Sequence, residues 1–382
     1  MGLKIRSIEF RDFRSYEQFR LDGIGDLTIF IGRNAIGKTN ILEGIQLVTS
    51  ATSFRHPQIA QVIRDGNDEG RVVVNATDGN RDLTTELHLE AGKRRYSVNG
   101  KGKTAADVRG VLPAVTFAPD DLDLAKGSSS VRRRALDEVG MQLNRNYYVI
   151  QRDFEKALRY KNRLLKEEAA PDLVGAIDET LVTCGAQLFC YRHALYRKMA
   201  ALVADGYRDI ARSSESLSMS YLPSWDYLRG KGDAPEEGPW LEEGAYARPD
   251  EVRETMHAAL TVFGAEERQR RRALVGPHND KLVFLVSGRD ASQFASQGQQ
   301  RSIVLAWKLA EVEMVRRTLG TEPVLLLDDV MSELDADRRD KLVENVTSAT
   351  QTFITATDLS PFNGELLARA RVVDLEREEG ER

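Results

Sequence analysis

The sequence predicts an α/β fold whose two halves come from opposite ends of the chain, with a helical insertion between them. Short apolar runs alternate with helix-like stretches near both termini. A phosphate-loop pattern joins one of those runs to a helix near the N-terminus, and two long amphipathic stripes fill the middle of the chain.

Leu27-Thr28-Ile29-Phe30-Ile31 is a short apolar strand that feeds a glycine-containing turn and a helix from about Lys38. Arg71 to Ala76, Leu83 to Leu89 and Arg95 to Val98 are further strands, punctuated by Asp78-Gly79-Asn80, Ala91-Gly92 and Asn99-Gly100, which suggests an antiparallel meander. Beyond Asp120 the period changes. Leu136, Val139, Leu143, Tyr147, Ile150, Phe154 and Leu158 form one helical stripe, and Ile177, Leu181, Cys184, Leu188, Tyr191, Leu195, Met199 and Val203 form a second. A polar stretch at 166–171 separates them, as in an antiparallel helical hairpin. The stripes alone fit either ordinary core faces or a projecting arm. Residues 222–250 read as a long loop, and 249–272 as a helix. Helix–strand alternation then returns with strands at Leu282 to Val286, Val324 to Leu327 and Thr352 to Thr357, and helices from about Gln299 and Ala336.

The totals narrow the function classes. A chain of 382 residues exceeds one average domain. At 41% hydrophobic and 30% charged residues, there is material for both a core and a solvated surface. The net charge of −5 excludes nucleic-acid binding by bulk charge and leaves it to local basic patches. Those on offer are Lys93-Arg94-Arg95, Lys101 with Lys103, Arg132 to Arg134, and Arg268 with Arg270 to Arg272. Cys184 and Cys190 cannot make a disulfide framework and read as buried thiols in a reducing compartment. The five histidines are scattered, with no Cys/His cluster at metal spacing. Neither an apolar signal core nor an apolar run of membrane-spanning length is evident, so the expectation is a cytoplasmic protein without a membrane partner.

Gly32-Arg33-Asn34-Ala35-Ile36-Gly37-Lys38-Thr39 fits G-x-x-x-x-G-K-[ST] and has the strand and helix that the pattern requires. Its backbone N–H groups would converge on the phosphates of ATP, with Asn40 continuing the site. Lys38 would place a cation there and Thr39 a hydroxyl on Mg²⁺. Val324 to Leu327 runs into Asp328-Asp329, a buried parallel strand ending in two carboxylates. Asp328 suits Mg²⁺, and Asp329 suits a catalytic role on the attacking water. Ser296-Gln297-Gly298-Gln299-Gln300 reads as a polar, flexible cap on a helix, where a hydroxyl and free N–H groups make an anion site.

Taken together, the order of these elements resembles ABC-type P-loop ATPases. The Ser296 to Gln300 segment resembles their signature motif, which contacts ATP bound to the partner subunit, and Ser332-Glu333-Leu334-Asp335 resembles their D-loop through Ser332 and Asp335. Where many members have a switch histidine, this chain has Thr355-Ala356-Thr357, with Thr357 a candidate substitute. About two thirds of the chain lies between Gly32 and Ser296, far more than in a transporter ATPase subunit. The short insertion is similar to that of the RecF family, short-armed relatives of the chromosome-maintenance ATPases. So are Ile8 to Tyr16, Gly32 to Glu43, Phe117 to Gly127, and Val275 to Asp280.

The resemblance implies an ATPase head of residues 1–120 and 273–382 with a helical arm domain at 121–272. It further implies an ATP-dependent homodimer that binds duplex and gapped DNA and acts with RecO and RecR in loading a recombinase. A transporter ATPase subunit and an essentially non-hydrolysing, ATP-gated DNA clamp are the alternatives; a membrane partner would mark the first, ATP-driven dimerisation without turnover the second.

Overall fold

The computed structural model describes residues 2–90, 92–211, 215–228, 247–333, 339, 342 and 351–376, with only the backbone of 227, 332 and 333. The chain divides into two compact units, Met1–Asp121 with Lys308–Arg382, and Leu122–Trp307.

In the first unit the chain forms β1 (Lys4–Phe13), β2 (Tyr16–Asp22), β3 (Leu27–Ile31), α1 (Lys38–Ser50), β4 (Glu69–Thr77), β5 (Asp82–Glu90), β6 (Lys93–Val98), β7 (Lys101–Lys103), α2 (Ala105–Val108) and β8 (Ala114–Phe117). The second unit contains α3 (Asp123–Lys126), α4 (Ser129–Leu143), α5 (Arg145–Lys166), α6 (Pro171–Ala211), β9 (Leu217–Leu222), α7 (Ser224–Leu228), α8 (Pro249–Arg270), β10 (Lys281–Val286), β11 (Arg289–Asp290) and α9 (Ala291–Phe294). The division falls inside α10 (Gln297–Leu319), after which the first unit resumes with β12 (Val324–Asp328), α11 (Val330–Glu333), β13 (Thr352–Ala356) and β14 (Arg371–Asp374).

The first unit has two sheets. One is antiparallel, in the order β2-β1-β4-β5-β6-β7, and contains the expected meander. A register shift between Ile5 and Ser7 in β1 lets Ile5 and Ile8, three positions apart, both face inward. The other sheet is parallel, in the order β14-β3-β13-β12-β8. Its central strands are buried along their whole length, which is why Val324 to Leu327 carries no polar alternation. One apolar core joins Ile41, Leu42, Ile45 and Val48 of α1 to Phe10 and Phe19 of the first sheet and Leu326 and Phe353 of the second. The Gln351 side chain donates to the carbonyls of Ile5 and Gly25, both at 2.8 Å, and so ties β1 to the turn before β3.

The second unit corrects several expectations. The first amphipathic stripe is two helices, because Asn144 leaves helical geometry and its side chain caps α5 by accepting from Asn146 N (2.8 Å) and Tyr147 N (3.3 Å). The hairpin itself forms, α5 packing on α6, with α8 and β9 on other faces of α6. By length and composition α6 could cross a membrane, contrary to the absence expected from sequence. Of its most apolar window 39% is buried, and the charged Arg192 is buried in the same helix. The strand expected at Leu282 to Val286 does not resume the parallel half. It pairs antiparallel with β9, a strand the sequence did not reveal, in the sheet β11-β10-β9. The unit accordingly continues to Trp307, past the 272 boundary read from sequence. Most of the loop at 222–250, and the helix from about Ala336, lie outside the described residues.

Candidate functional site

β3 ends at Ile31, and the chain then passes Gly32 at φ 150° and Gly37 at φ 110° before α1 starts. Position 37 admits no side chain, since a Cβ would lie 2.7 Å from the Tyr16 hydroxyl oxygen. Ala35 is also left-handed, at φ 70°, a conformation that costs an alanine about 1–3 kcal/mol and that packed proteins keep mainly at ligand sites. No side chain caps the N-terminus of α1, and its first turn carries no acid. The N–H groups of Lys38 and Thr39, ahead of those of Asn40 and Ile41 that donate to the Gly37 carbonyl, and the positive end of the dipole therefore face an anion.

A cleft of about 250 Å³ lies at this end of α1, lined by Asn34, Ala35, Gly37, Lys38, Thr39, Asn40, Arg55, Asp329 and Thr355. The Lys38 ammonium donates to the carbonyls of Gly32 (2.5 Å) and Arg33 (3.0 Å). Burial lowers its pKa, while the carboxylates of Asp329, Asp328 and Glu376 oppose the shift. The other phosphate-loop residues shape the turn. Arg33 holds Glu376 through its backbone N–H (3.0 Å) and guanidinium (2.9 Å), and Ile36 packs on the core.

The parallel register sets Asp328 beside Thr355, at the carboxyl ends of β12 and β13. Thr39 Oγ1 and Thr355 Oγ1 both donate to Asp328 Oδ1, at 2.9 and 2.8 Å. Among the described residues no donor reaches Asp328 Oδ2. Burial raises the Asp328 pKa and Asp329 adds to the rise, whereas the two hydroxyls and Arg55 oppose it. The chain then turns left-handed at Asp329, φ 53°, whose N–H donates to Thr355 Oγ1 at 2.9 Å. Thr355, not the exposed Thr357, is thus the threonine that touches both carboxylate residues.

Arg55 escaped the sequence reading. Its guanidinium donates to Asn40 Oδ1 (2.9 Å) and lies 3.5 Å from the buried Glu43 carboxylate, which also holds Arg14 (2.7 Å) and the Ser53 hydroxyl (2.6 Å). Nothing in the run Ser53-Phe54-Arg55 marks it; only the return of the loop after α1 to the cleft does.

Ser296 to Gln300 lie in the second unit. Ser296 N–H donates to Gln299 Oε1 (2.7 Å) and Gln299 N–H to Ser296 Oγ (3.3 Å), a reciprocal cap that fixes a start the sequence read as flexible. Gln299 also donates to Glu215 (3.0 Å) and Gln300 to the Ala295 carbonyl (2.9 Å), while Ser296 and Gln297 are exposed. Ser332 belongs to α11, but its side chain, and Asp335 altogether, lie outside the described residues. Of the basic clusters, Arg132 is buried and donates to the carbonyls of Leu282 (2.6 Å) and Leu124 (3.0 Å), and Arg133 donates to those of His278 (2.6 Å) and Asp280. Both serve the interior, a correction to their reading as surface cations. Lys93, Arg95, Lys101, Lys103 and Arg134 are exposed.

The family profile of the RecF/RecN/SMC N terminal domain matches residues 4–370. The DNA replication and repair protein RecF of Symbiobacterium thermophilum is 36% identical over 360 residues, covering 93% of this chain and 92% of that protein. The chain belongs to the RecF family. It is a RecF-like recombination mediator built as an ABC-type ATPase. A solved structure of the recombination mediator protein RecF-ATP in the RecFOR pathway superposes with a TM-score of 0.83 at 28% identity, covering 95% of this chain and 94% of that one. The Smc head domain with an extended coiled coil from Pyrococcus furiosus shares the fold, with a TM-score of 0.51 at 14% identity over 98% of this chain and 94% of that one.

Proposed function

We propose that this RecF-family chain hydrolyses ATP in the α1 cleft and uses the ATP-bound state to dimerise on duplex and gapped DNA, acting with RecO and RecR to load a recombinase in the cytoplasm, at the nucleoid. The observation that carries the reading is the cleft itself, where a lysine, two hydroxyls, two carboxylates and an uncapped helix N-terminus converge. The same groups answer a triphosphate: N–H groups and Lys38 for its charge, and hard oxygen donors beside them.

The donor set fits Mg²⁺, since Thr39 Oγ1 and Asp328 Oδ1 lie 2.9 Å apart. When bound, the ion would neutralise charge building on the phosphate oxygens. Thr39 and Asp328 would hold it. Thr355 keeps Asp328 and Asp329 in fixed relation, Lys38 draws the phosphates into the turn, and Asp329 orients the attacking water and takes its proton. Arg55, anchored on Glu43 and Asn40, adds a cation to the rim of the cleft.

Ser296, Gln297, Gly298, Gln299 and Gln300 act in trans, on ATP held by a second copy, and Ser332 and Asp335 belong to the D-loop. The exposed cations Lys93, Arg95, Lys101, Lys103, Arg134, Arg268 and Arg270 to Arg272 are among the groups on offer to DNA phosphates, which makes binding strongly salt-dependent. The test is Ser296→Arg. It should leave ATP binding to the monomer nearly unchanged while abolishing ATP-driven dimerisation in sedimentation. Dimerisation that persists in this variant contradicts the trans assignment.

A further inference from the structure

The solvent face of the antiparallel sheet carries a cluster that the nucleotide chemistry does not use. Glu69 of β4 stands directly opposite Glu90 of β5, and His88, two positions before Glu90 on the same face, stands opposite Arg71. Like charges paired across a ladder repel unless a positive group lies between them. His88 Nε2 lies 3.4 Å from Glu90 Oε1 and 3.7 Å from Glu69 Oε2. Those separations are longer than ordinary N–H···O hydrogen bonds of about 2.7–3.2 Å. Two ligands around one small dication, with bonds of about 2.0–2.2 Å at a tetrahedral angle, lie about 3.3–3.6 Å apart; the His88–Glu90 separation falls in that range and the His88–Glu69 separation lies just beyond it. One ligand atom from each of the three side chains lies within 4.8 Å of the others.

We propose that Glu69, His88 and Glu90 form a binding site for a transition-metal dication of the zinc class, with the imidazole and two carboxylates as ligands and solvent completing the coordination. The placement supports it in two further ways. β4 and β5 are interior strands of their sheet, so the three Cα positions are fixed before any ion arrives. Arg95 of β6, opposite His88, donates to Glu90 Oε2 at 2.9 Å. That bond leaves Oε1 turned to His88, and a hydrogen bond to the second oxygen is the usual way a ligating carboxylate is oriented. The imidazole nitrogen selects against Mg²⁺, which prefers an all-oxygen shell, so this site is chemically distinct from Thr39 and Asp328. The residues are nineteen or more positions apart along the chain on one side, and only the ladder joins them.

The test titrates Co²⁺ and Zn²⁺ into metal-free full-length protein. Co²⁺ visible absorption reports the ligand field, calorimetry reports Zn²⁺ affinity, and Mg²⁺ is present in excess throughout. The expected result is a single Zn²⁺ equivalent that weakens at least tenfold in both His88→Ala and Glu69→Gln, because losing a ligand costs no less than the 10–100-fold typical of losing a supporting partner. ATP hydrolysis in the two variants should equal that of the unaltered protein. Both side chains sit on the solvent face, and thermal unfolding of each variant checks that the fold is kept. Zn²⁺ binding of unchanged affinity in His88→Ala, or no Co²⁺ spectrum in the unaltered protein, overturns the assignment.

Discussion

The cleft at the head of α1 and the polar hub around Arg192 contain similar groups in opposite states. In the hub, Arg192 grips both oxygens of Asp137 at 2.8 Å and donates to the Pro277 carbonyl at 2.6 Å. Tyr147 completes Asp137 (2.6 Å), and Asp280 accepts from the Tyr221 hydroxyl (2.5 Å) and Ser224 N–H (2.7 Å). Burial raises the Asp280 pKa against Arg192 and these donors, and it lowers that of neighbouring His278 to about 4. Asp137, Arg192 and Asp280 are each answered from within the protein. In the cleft, Asp328 has both its hydroxyl donors on one oxygen, Lys38 rests on carbonyls of its own loop, and the helix N-terminus has no cap. A closed polar cluster holds a fold together, whereas an open one at the carboxyl ends of parallel strands is arranged for a ligand.

Mutation should separate the two. Lys38→Met should weaken ATP binding by about 2–5 kcal/mol, the range for truncating one partner of a charge pair at a binding site. That is at least about 30-fold in affinity, read by equilibrium nucleotide binding, with little change in stability. Normal ATP binding in a folded variant would remove the phosphate-loop assignment. Arg192→Met should do the reverse. Leaving Asp137 buried without its partner should cost about 3–5 kcal/mol in denaturant unfolding. A loss below about 1 kcal/mol would mean that the hub is not a stability element.

A smaller effect sharpens the comparison at its boundary. Thr355→Val removes a donor from Asp328 and an acceptor from Asp329 N–H, worth about 1–3 kcal/mol when such groups lose their partner. Since burial already raises the Asp328 pKa, the lost hydrogen bond should raise it further. Protons and Mg²⁺ compete for the carboxylate, so Mg²⁺-dependent ATP binding should fail on acidification above the ordinary carboxylate range, and at a higher pH still in the variant. The sign for folding follows from linkage. With its folded pKa above the unfolded one, Asp328 reduces stability as pH rises between the two values. Identical pH profiles in both proteins would break the link between Thr355 and the metal site.

The cleft was more legible in the sequence than the hub, for a physical reason. Gly32, Gly37, Lys38 and Thr39 are bound to one short turn by backbone geometry, so their spacing is the signal, and Asp328 follows from a strand too apolar to lie anywhere but the interior. The hub gathers Asp137, Arg192 and Tyr221 from three separate elements and Asp280 from the residue before β10, which no local period marks. The run Val275 to Asp280 was noticed, but only packing shows that its Pro277 carbonyl and Asp280 carboxylate belong to Arg192's surroundings. Arg55, and the contacts of Thr355 with Asp328 and Asp329, escape a sequence reading for the same reason. β9 went unread because Leu217-Ser-Met-Ser-Tyr-Leu is short and its partner, β10, lies far along the chain. Asn144 was read through because a helical period survives a one-residue break.

The central claim is a division of labour between adjacent carboxylates, Asp328 for the metal and Asp329 for the water. The decisive measurement is single-turnover ATP hydrolysis by Asp329→Asn, with ATP affinity and sedimentation recorded on the same protein. Asparagine keeps the size and a hydrogen-bonding oxygen but removes the charge. The account predicts unchanged ATP affinity, hydrolysis slower by about 10²–10⁴-fold, and accumulation of an ATP-bound dimer. Near-normal hydrolysis, or loss of ATP binding together with hydrolysis, would contradict it.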